Sequence, residues 1–262
     1  MSLHVETEGR GPDLVLVHGW GLHGGIWDDL VPRLAERYRV SRVDLPGHGH
    51  SRDEPPSAEL TELAARVADA VPGPATWLGW SLGGMVAMRV ALDRPEAVRS
   101  LALVATTPRF VTGPDWRCAA APHTLTRFAD SLHRDYRQTV EYFLTLQVHG
   151  DDQARPLLRD LRRRVFAHGD PDPAGLQAGL DILRDADLRH EVAAIRAPTR
   201  VIMGQRDRLT PPAAGEWLAA AIPSAECITI PRAAHTPFVS HIAEFRTALE
   251  GLPADPGVGA SA

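Results

Sequence analysis

Ser81 sits at the centre of Gly79-Trp80-Ser81-Leu82-Gly83, which continues into Gly84. An apolar run at 75–78 precedes this pentapeptide, and a helical pattern follows it to about residue 93. A Gly-x-Ser-x-Gly at a strand-to-helix junction is a nucleophile elbow, because small flanking residues permit a sharp turn that lifts the hydroxyl above a sheet. A serine hydroxyl attacks an ester at neutral pH only when a base takes its proton and an acid holds that base in one tautomer. The chain order for such a set on this kind of scaffold is serine, acid, histidine. Asp207, in Gly204-Gln205-Arg206-Asp207, and His235, in Arg232-Ala233-Ala234-His235-Thr236-Pro237, each follow an apolar run and satisfy that order. Asp44 comes too early in the chain and Asp187 is read in a helical context, so Asp207 is the expected acid. Among 12 histidines His235 is set apart by position, and most of the others read as surface or packing residues.

The tetrahedral intermediate of such an attack carries an oxyanion, and each preorganised N–H that binds it is worth about 3 kcal/mol. One donor is expected from the backbone of Leu82, at the start of the helix after Ser81. The second is expected from His18-Gly19-Trp20-Gly21, just beyond the first clear strand, at the N–H of Trp20.

The elements that must position these groups are legible as short apolar, branched runs at 14–18, 38–44, 75–80, 98–105, 199–204 and 226–231, with helical patterns between them. Several runs are apolar at consecutive positions and are punctuated by Asp, Gly or Pro, as strands buried on both faces would be. The expected class is therefore α/β, a mostly parallel sheet flanked by helices, with the acid and histidine loops at strand C-terminal ends where ligands bind. Residues 110–185 break the rhythm and read as successive amphipathic helices. Phe128, Leu132, Tyr136, Val140 and Phe143 fall on one helical face, as do Leu158, Leu161 and Val165. The expected organisation is a core over 1–109 and 186–250, a helical insertion over 110–185 and a flexible Gly/Pro/Ala-rich tail at 251–262.

Composition agrees with a soluble globular chain: 262 residues, 44% hydrophobic, 23% charged, net charge −5. Nothing in that balance calls for a nucleic acid. No apolar run approaches the length of a membrane span and the N-terminal residues carry no signal-peptide stretch, so a cytoplasmic monomer is expected. Cys118 and Cys227 form neither a disulfide framework nor a metal motif, and reduced, buried thiols are expected. All 28 basic residues are arginine, so any cationic surface must be built from planar guanidinium groups.

The chain resembles the α/β-hydrolase superfamily across nearly its whole length, with the helical insertion as a cap. More narrowly it is similar to the pimeloyl-[acyl-carrier protein] methyl ester esterases of biotin synthesis. That likeness rests on Leu14-Val15-Leu16-Val17-His18-Gly19-Trp20-Gly21-Leu22, Val43-Asp44-Leu45-Pro46-Gly47 and Trp77-Leu78-Gly79-Trp80-Ser81-Leu82-Gly83-Gly84. In the insertion it rests on Phe143-Leu144-Thr145-Leu146-Gln147 and Gly179-Leu180-Asp181-Ile182-Leu183, and near the end on Ala233-Ala234-His235-Thr236-Pro237-Phe238. The resemblance implies Ser81 as nucleophile, His235 as general base and then acid, Asp207 as its partner, and Trp20 and Leu82 as binders of the ester oxygen. It also implies that Phe143, Leu144, Thr145, Leu146 and Gln147 line the acyl channel, and that no metal or organic cofactor takes part.

The implied partner is an acyl carrier protein, which is acidic and bears a phosphopantetheine phosphate. Taken as one helix from Gln153, Arg155, Arg159, Arg162 and Arg163 form a stripe beside the leucine face. Arg155 and Arg159 match arginines the family uses for carrier contact, whereas Gln138 and Tyr142 stand where the family has further arginines. A solvated charged face explains the stripe equally well. The alternatives to this esterase are a broad short-chain esterase or another serine hydrolase of the same fold, and, from a different class, a non-catalytic ligand-binding protein on this scaffold. Haloalkane dehalogenation is disfavoured, because the elbow presents serine and not aspartate.

Overall fold

The computed structural model describes residues 2–71, 73–132 and 134–252. The strands β1 (Val5–Gly9), β2 (Asp13–Val17), β3 (Arg39–Val43), β4 (Ala75–Trp80), β5 (Val98–Val104), β6 (Thr199–Gly204) and β7 (Ala225–Ile230) form one sheet in the order β1-β3-β2-β4-β5-β6-β7. All neighbouring pairs are parallel except β1 with β3. Every residue of β4 is buried, which is why it reads as an unbroken apolar run. The predicted runs match β2 to β7 to within a residue or so at their ends. β1 carries no apolar signal in the sequence. It is an edge strand with four of five residues exposed, so it has no apolar alternation, and Glu6 and Glu8 reach across it to Arg42 at 2.9 Å each.

Helices α1 (Val31–Leu34), α2 (Leu60–Ala70) and α3 (Leu82–Asp93) accompany the first half of the sheet, and α2 packs on α3, which packs on β4 and β5. Between β5 and β6 the chain runs through α4 (Pro122–Leu132), α5 (Tyr136–Gln147), α6 (Ala154–Val165) and α7 (Pro173–Asp185). After β6 come α8 (Pro212–Ala221), α9 (Pro237–Ser240) and α10 (Ile242–Leu249), with α8 and α10 against β6 and β7.

Two helical expectations shift. The face drawn from Phe128 to Phe143 belongs to two helices, because Asp135 caps α5 by accepting the N–H of Gln138 at 3.0 Å. On α6 the buried set is Leu157, Leu161, Arg164 and Val165, while Leu158 is half-buried. Arg164 can be buried because its guanidinium pairs with Asp160 and Asp29 and donates to the Gly25 carbonyl. Cys118 and Cys227 are free, as expected, but half-buried. The expected tail falls, from residue 253 onward, outside the described residues. Among the described residues no helix is long and apolar enough to cross a membrane.

Candidate active site

β4 ends at Trp80 and α3 begins at Leu82, so the whole turn between them is Ser81. Its backbone has φ 55° and ψ −117°, a conformation that costs a non-glycine residue about 1–3 kcal/mol and persists only where its surroundings impose it. A Cβ on Gly79 would run into the Gly83 carbonyl, and one on Gly83 into the Val17 carbonyl, so the glycines of the motif are required by close approach of backbone. Three hydrogen bonds then fix the turn. The Ser81 N–H donates to the Val104 carbonyl at 3.0 Å, and the Ser81 carbonyl accepts the Gly84 N–H at 2.9 Å and the Thr106 hydroxyl at 2.7 Å. Thr106 is fully buried and has no signature in the sequence, since a threonine past the end of a strand carries no motif.

The loops after β6 and β7 bring Asp207 and His235 together, both buried. His235 Nδ1 lies 2.7 Å from Asp207 Oδ2. The same oxygen accepts the Thr210 hydroxyl at 2.6 Å, and Oδ1 accepts the N–H groups of Leu209 at 2.8 Å and Thr210 at 3.0 Å. A carboxylate held by these donors fixes the imidazole with its proton on Nδ1. His235 Nε2 is then left as a lone pair, buried and without a hydrogen-bond partner among the described residues. The Trp80 indole N–H donates to the His235 carbonyl at 2.8 Å, which ties His235 to the residue next to Ser81. The two competing acids are engaged elsewhere. Asp44 accepts the N–H groups of Gly24 and His50. Asp187, which lies just past α7 and not within a helix, pairs with Arg109 and Arg189.

The loop after β2 lies against the elbow, so that a Cβ on Gly19 would stand 3.2 Å from Ser81 Cβ. Two neutral histidines shape this loop. His18 donates from Nδ1 to the Gly19 carbonyl at 2.8 Å and accepts the Leu45 N–H at Nε2 at 2.9 Å. His48 donates to the Pro46 carbonyl and accepts the Gly21 N–H. Burial and the adjacent His48 push the His18 ring down to about 3, and burial lowers His48 as well. With Gly21 committed to His48 and Leu22 to the Gly19 carbonyl, the Trp20 N–H remains uncommitted among the described residues. Leu82 is the first residue of α3, and its N–H has no intrahelical acceptor. The Trp20 ring is pinned from above: its indole N–H donates to the Leu176 carbonyl of α7 at 2.7 Å, and Phe143 meets it edge-on at 4.8 Å.

Of the five expected channel residues, Phe143, Leu144 and Gln147 are buried and Leu146 is half-buried. Phe143 touches Trp20, and the Gln147 carbonyl accepts the His235 N–H at 3.1 Å. Gln147 Oε1 is buried without a hydrogen-bond partner. Thr145 departs from the expectation: it is exposed and donates back to the Glu141 carbonyl, because consecutive helical residues cannot all share a face. On α6, Arg162 pairs with Glu141, and Arg163 with Asp160. Arg155 and Arg159 are exposed and make no ion pair among the described residues. Asp151, Asp152 and His241 offer possible metal-ligand atoms within 4.8 Å of one another, but both Asp151 oxygens already accept hydrogen bonds.

A strained buried serine, an imidazole with one free nitrogen and N–H donors at the head of α3 together can perform nucleophilic acyl transfer. A profile of the alpha/beta hydrolase family matches residues 14–248. The pimeloyl-[acyl-carrier protein] methyl ester esterase of Nitrosomonas europaea is 46% identical over 252 residues, spanning 96% of this chain and 99% of that one. The enzyme of the same name from Xanthomonas axonopodis pv. citri is 46% identical over 248 residues, 95% of this chain and 97% of that one. Among solved structures, a hydrolase from Pseudomonas aeruginosa superimposes with a TM-score of 0.81 at 27% identity, covering 94% of this chain and 92% of that one. An esterase from Exiguobacterium antarcticum shares the fold with a TM-score of 0.86 at 22% identity, over 94% and 93% of the two chains.

Proposed function

The chain belongs to the alpha/beta hydrolase family and, within it, to the pimeloyl-[acyl-carrier protein] methyl ester esterases, and from that premise we propose how it works. It hydrolyses the methyl ester of a pimeloyl chain carried on acyl carrier protein, a step of biotin synthesis, with Ser81, His235 and Asp207 as its catalytic residues. Ser81 Oγ attacks the ester carbon as its proton passes to His235 Nε2. The N–H groups of Trp20 and Leu82 bind the oxyanion. Collapse breaks the bond to the methoxy oxygen, which takes the proton from His235 and leaves as methanol. Water then gives a proton to His235 Nε2 and attacks the acyl-enzyme, and the second collapse returns that proton to Ser81 and frees the carboxylic acid, which ionises to the carboxylate in water. Residues 110–185 act as the cap that shapes the acyl channel. The observation that carries this reading is the bond from His235 Nδ1 to a fully engaged Asp207, which leaves Nε2 buried and without a hydrogen-bond partner among the described residues.

Carrier docking is assigned to Arg155 and Arg159. That neither makes an ion pair among the described residues supports this, since a guanidinium already held by a neighbouring carboxylate must give up that partner to bind another. Exposed Gln138 and Tyr142 on α5 contribute no charge to the surface, which favours a weaker-docking, broader esterase as the second reading. Ser81→Ala should lower turnover by several powers of ten. Near wild-type activity in that variant would overturn the assignment. Charge reversal of Arg155 and Arg159 together should impair hydrolysis of the carrier-bound ester and spare a small soluble ester. Equal loss on both, or loss on neither, would exclude the docking role.

A further inference from the structure

Building on the catalytic reading above, we propose that Asp151 is a positioning residue for His235, through which the inserted helices hold the histidine loop in register with the elbow. Asp151 lies in the turn between α5 and α6, and its side chain is fully buried. Oδ1 accepts the Gln153 N–H at 2.8 Å, and Oδ2 accepts the Ala234 N–H at 3.0 Å and the Ser240 hydroxyl at 2.8 Å. The nearest titratable ring, His241, has Nδ1 4.0 Å from Oδ2 and 2.8 Å from Ser240 Oγ.

Ala234 immediately precedes the catalytic histidine, and the next N–H, that of His235, donates to the Gln147 carbonyl at the end of α5 at 3.1 Å. Two successive backbone donors of the histidine loop therefore end on the inserted segment, while the His235 carbonyl ends on Trp80. His235 is clamped from both sides, and its Nε2 has no hydrogen bond of its own among the described residues to hold it in place. Ser240, downstream on α9, is tied to the same carboxylate, so one buried anion spans the loop on both sides of His235.

Oδ1 faces one backbone donor, and Oδ2 faces a backbone donor and a hydroxyl, so an asparagine there keeps its oxygen on Ala234 and Ser240 and turns its NH2 toward the Gln153 N–H. Asp151→Asn therefore retains the hold on the histidine loop, whereas Asp151→Ala removes it. A displacement of the base by about 1 Å costs on the order of 100-fold in rate.

The test compares wild type, Asp151→Asn and Asp151→Ala. It measures kcat and KM on a small soluble ester, the rate of Ser81 labelling by a fluorophosphonate, and the low-field proton NMR signal of His235 Nδ1–H. The expected result for Asp151→Ala is a kcat lower by about 10- to 100-fold with KM little changed, slower labelling, and a low-field signal broadened or lost, with Asp151→Asn closer to wild type on all three. A folded Asp151→Ala with wild-type kcat, or with its loss confined to KM, overturns the proposal. Should Asp151→Ala fail to fold, Ser240→Ala removes one donor from the carboxylate. It should lower kcat with the same spectroscopic change, and an unchanged kcat there overturns the proposal as well. A wild type that the fluorophosphonate does not label would instead overturn the catalytic reading itself. A labelled wild type with an equally labelled Asp151→Ala overturns the positioning role alone.

Discussion

Asp207→Asn is the substitution whose outcome the site geometry determines most closely. The asparagine has two orientations. In one its amide oxygen replaces Oδ1, where it keeps the N–H groups of Leu209 and Thr210, and its NH2 faces His235 Nδ1. In the other the NH2 meets those two backbone donors head-on. Orphaning two buried N–H groups costs about 1–3 kcal/mol each, so the first orientation wins by about 2–6 kcal/mol. An NH2 donating to Nδ1 makes that nitrogen the acceptor and moves the ring proton to Nε2, the position that must receive the Ser81 proton. The base is then present in the wrong tautomer. Comparable triads lose about 10⁴ in kcat for this change, or about 5.5 kcal/mol of barrier, while fold and binding persist. The assay is steady-state hydrolysis of a small soluble ester, with near-UV circular dichroism as the control for packing. Activity within tenfold of wild type in a natively packed variant would refute the argument, because it would show that Asp207 does not set the tautomer.

Two further predictions concern the loop beneath the oxyanion donors. His18 titrates near 6.5 in the unfolded chain and at about 3 when folded, so below pH 6.5 the unfolded state takes up a proton that the native state refuses. Stability is fully present above that pH and should fall by about 1.4 kcal/mol per unit as pH drops toward 4, with buried His48 and His23 acting in the same direction. Urea midpoints at pH 7.5 and 5 measure this, and a flat or rising stability on acidification would contradict it. Gly179→Ala should add about 1 kcal/mol of helix propensity to α7, yet its Cβ would stand 2.6 Å from Trp20 Cδ1, and overpacking costs about 1–3 kcal/mol. A variant that melts near wild type or below it but hydrolyses esters markedly more slowly is expected, and unchanged kcat/KM would show that the Trp20 ring can shift without moving its N–H.

The strands that carry the chemistry were legible because burial on both faces makes them apolar at every position, and the elbow, Asp207 and His235 were legible because each follows such a strand in a fixed chain order. The edge strand β1 was not, since exposure removes the alternation that would mark it. Along α6 the leucine spacing alone points to Leu158, and a buried Arg164 is invisible in the sequence because only the fold brings Asp29 to it beside Asp160. Thr106, His48 and Asp151 escaped for a different reason. Each works through one hydrogen bond or a few to backbone brought close by the fold, and no local spacing encodes that. For the channel residues the motif was read as a contiguous block, whereas helical geometry turns Thr145 to solvent and leaves Phe143 and Gln147 as the pair that reach the site.

In the proposed mechanism the inserted helices do more than shape the acyl channel, because each half of the proposed catalytic machinery is fastened to a different part of them. On the oxyanion side, α7 meets the core backbone to backbone: a Cβ on Gly175 would lie 2.6 Å from Gly47 Cα, and the Asp172 N–H donates to the Gly47 carbonyl at 2.8 Å. That close approach lets the Leu176 carbonyl reach the Trp20 indole and lets Gly179 sit over the rings and side chains of Trp20 and Leu82. On the histidine side, the end of α5 and the turn after it supply Gln147 and Asp151 to the N–H groups of His235 and Ala234. The strained serine is held wholly from within the core, by Val104, Thr106 and its own glycines. Nucleophile and supporting groups thus answer to different parts of the chain, so a displacement of the inserted helices would leave the elbow intact while loosening both the base and the oxyanion loop.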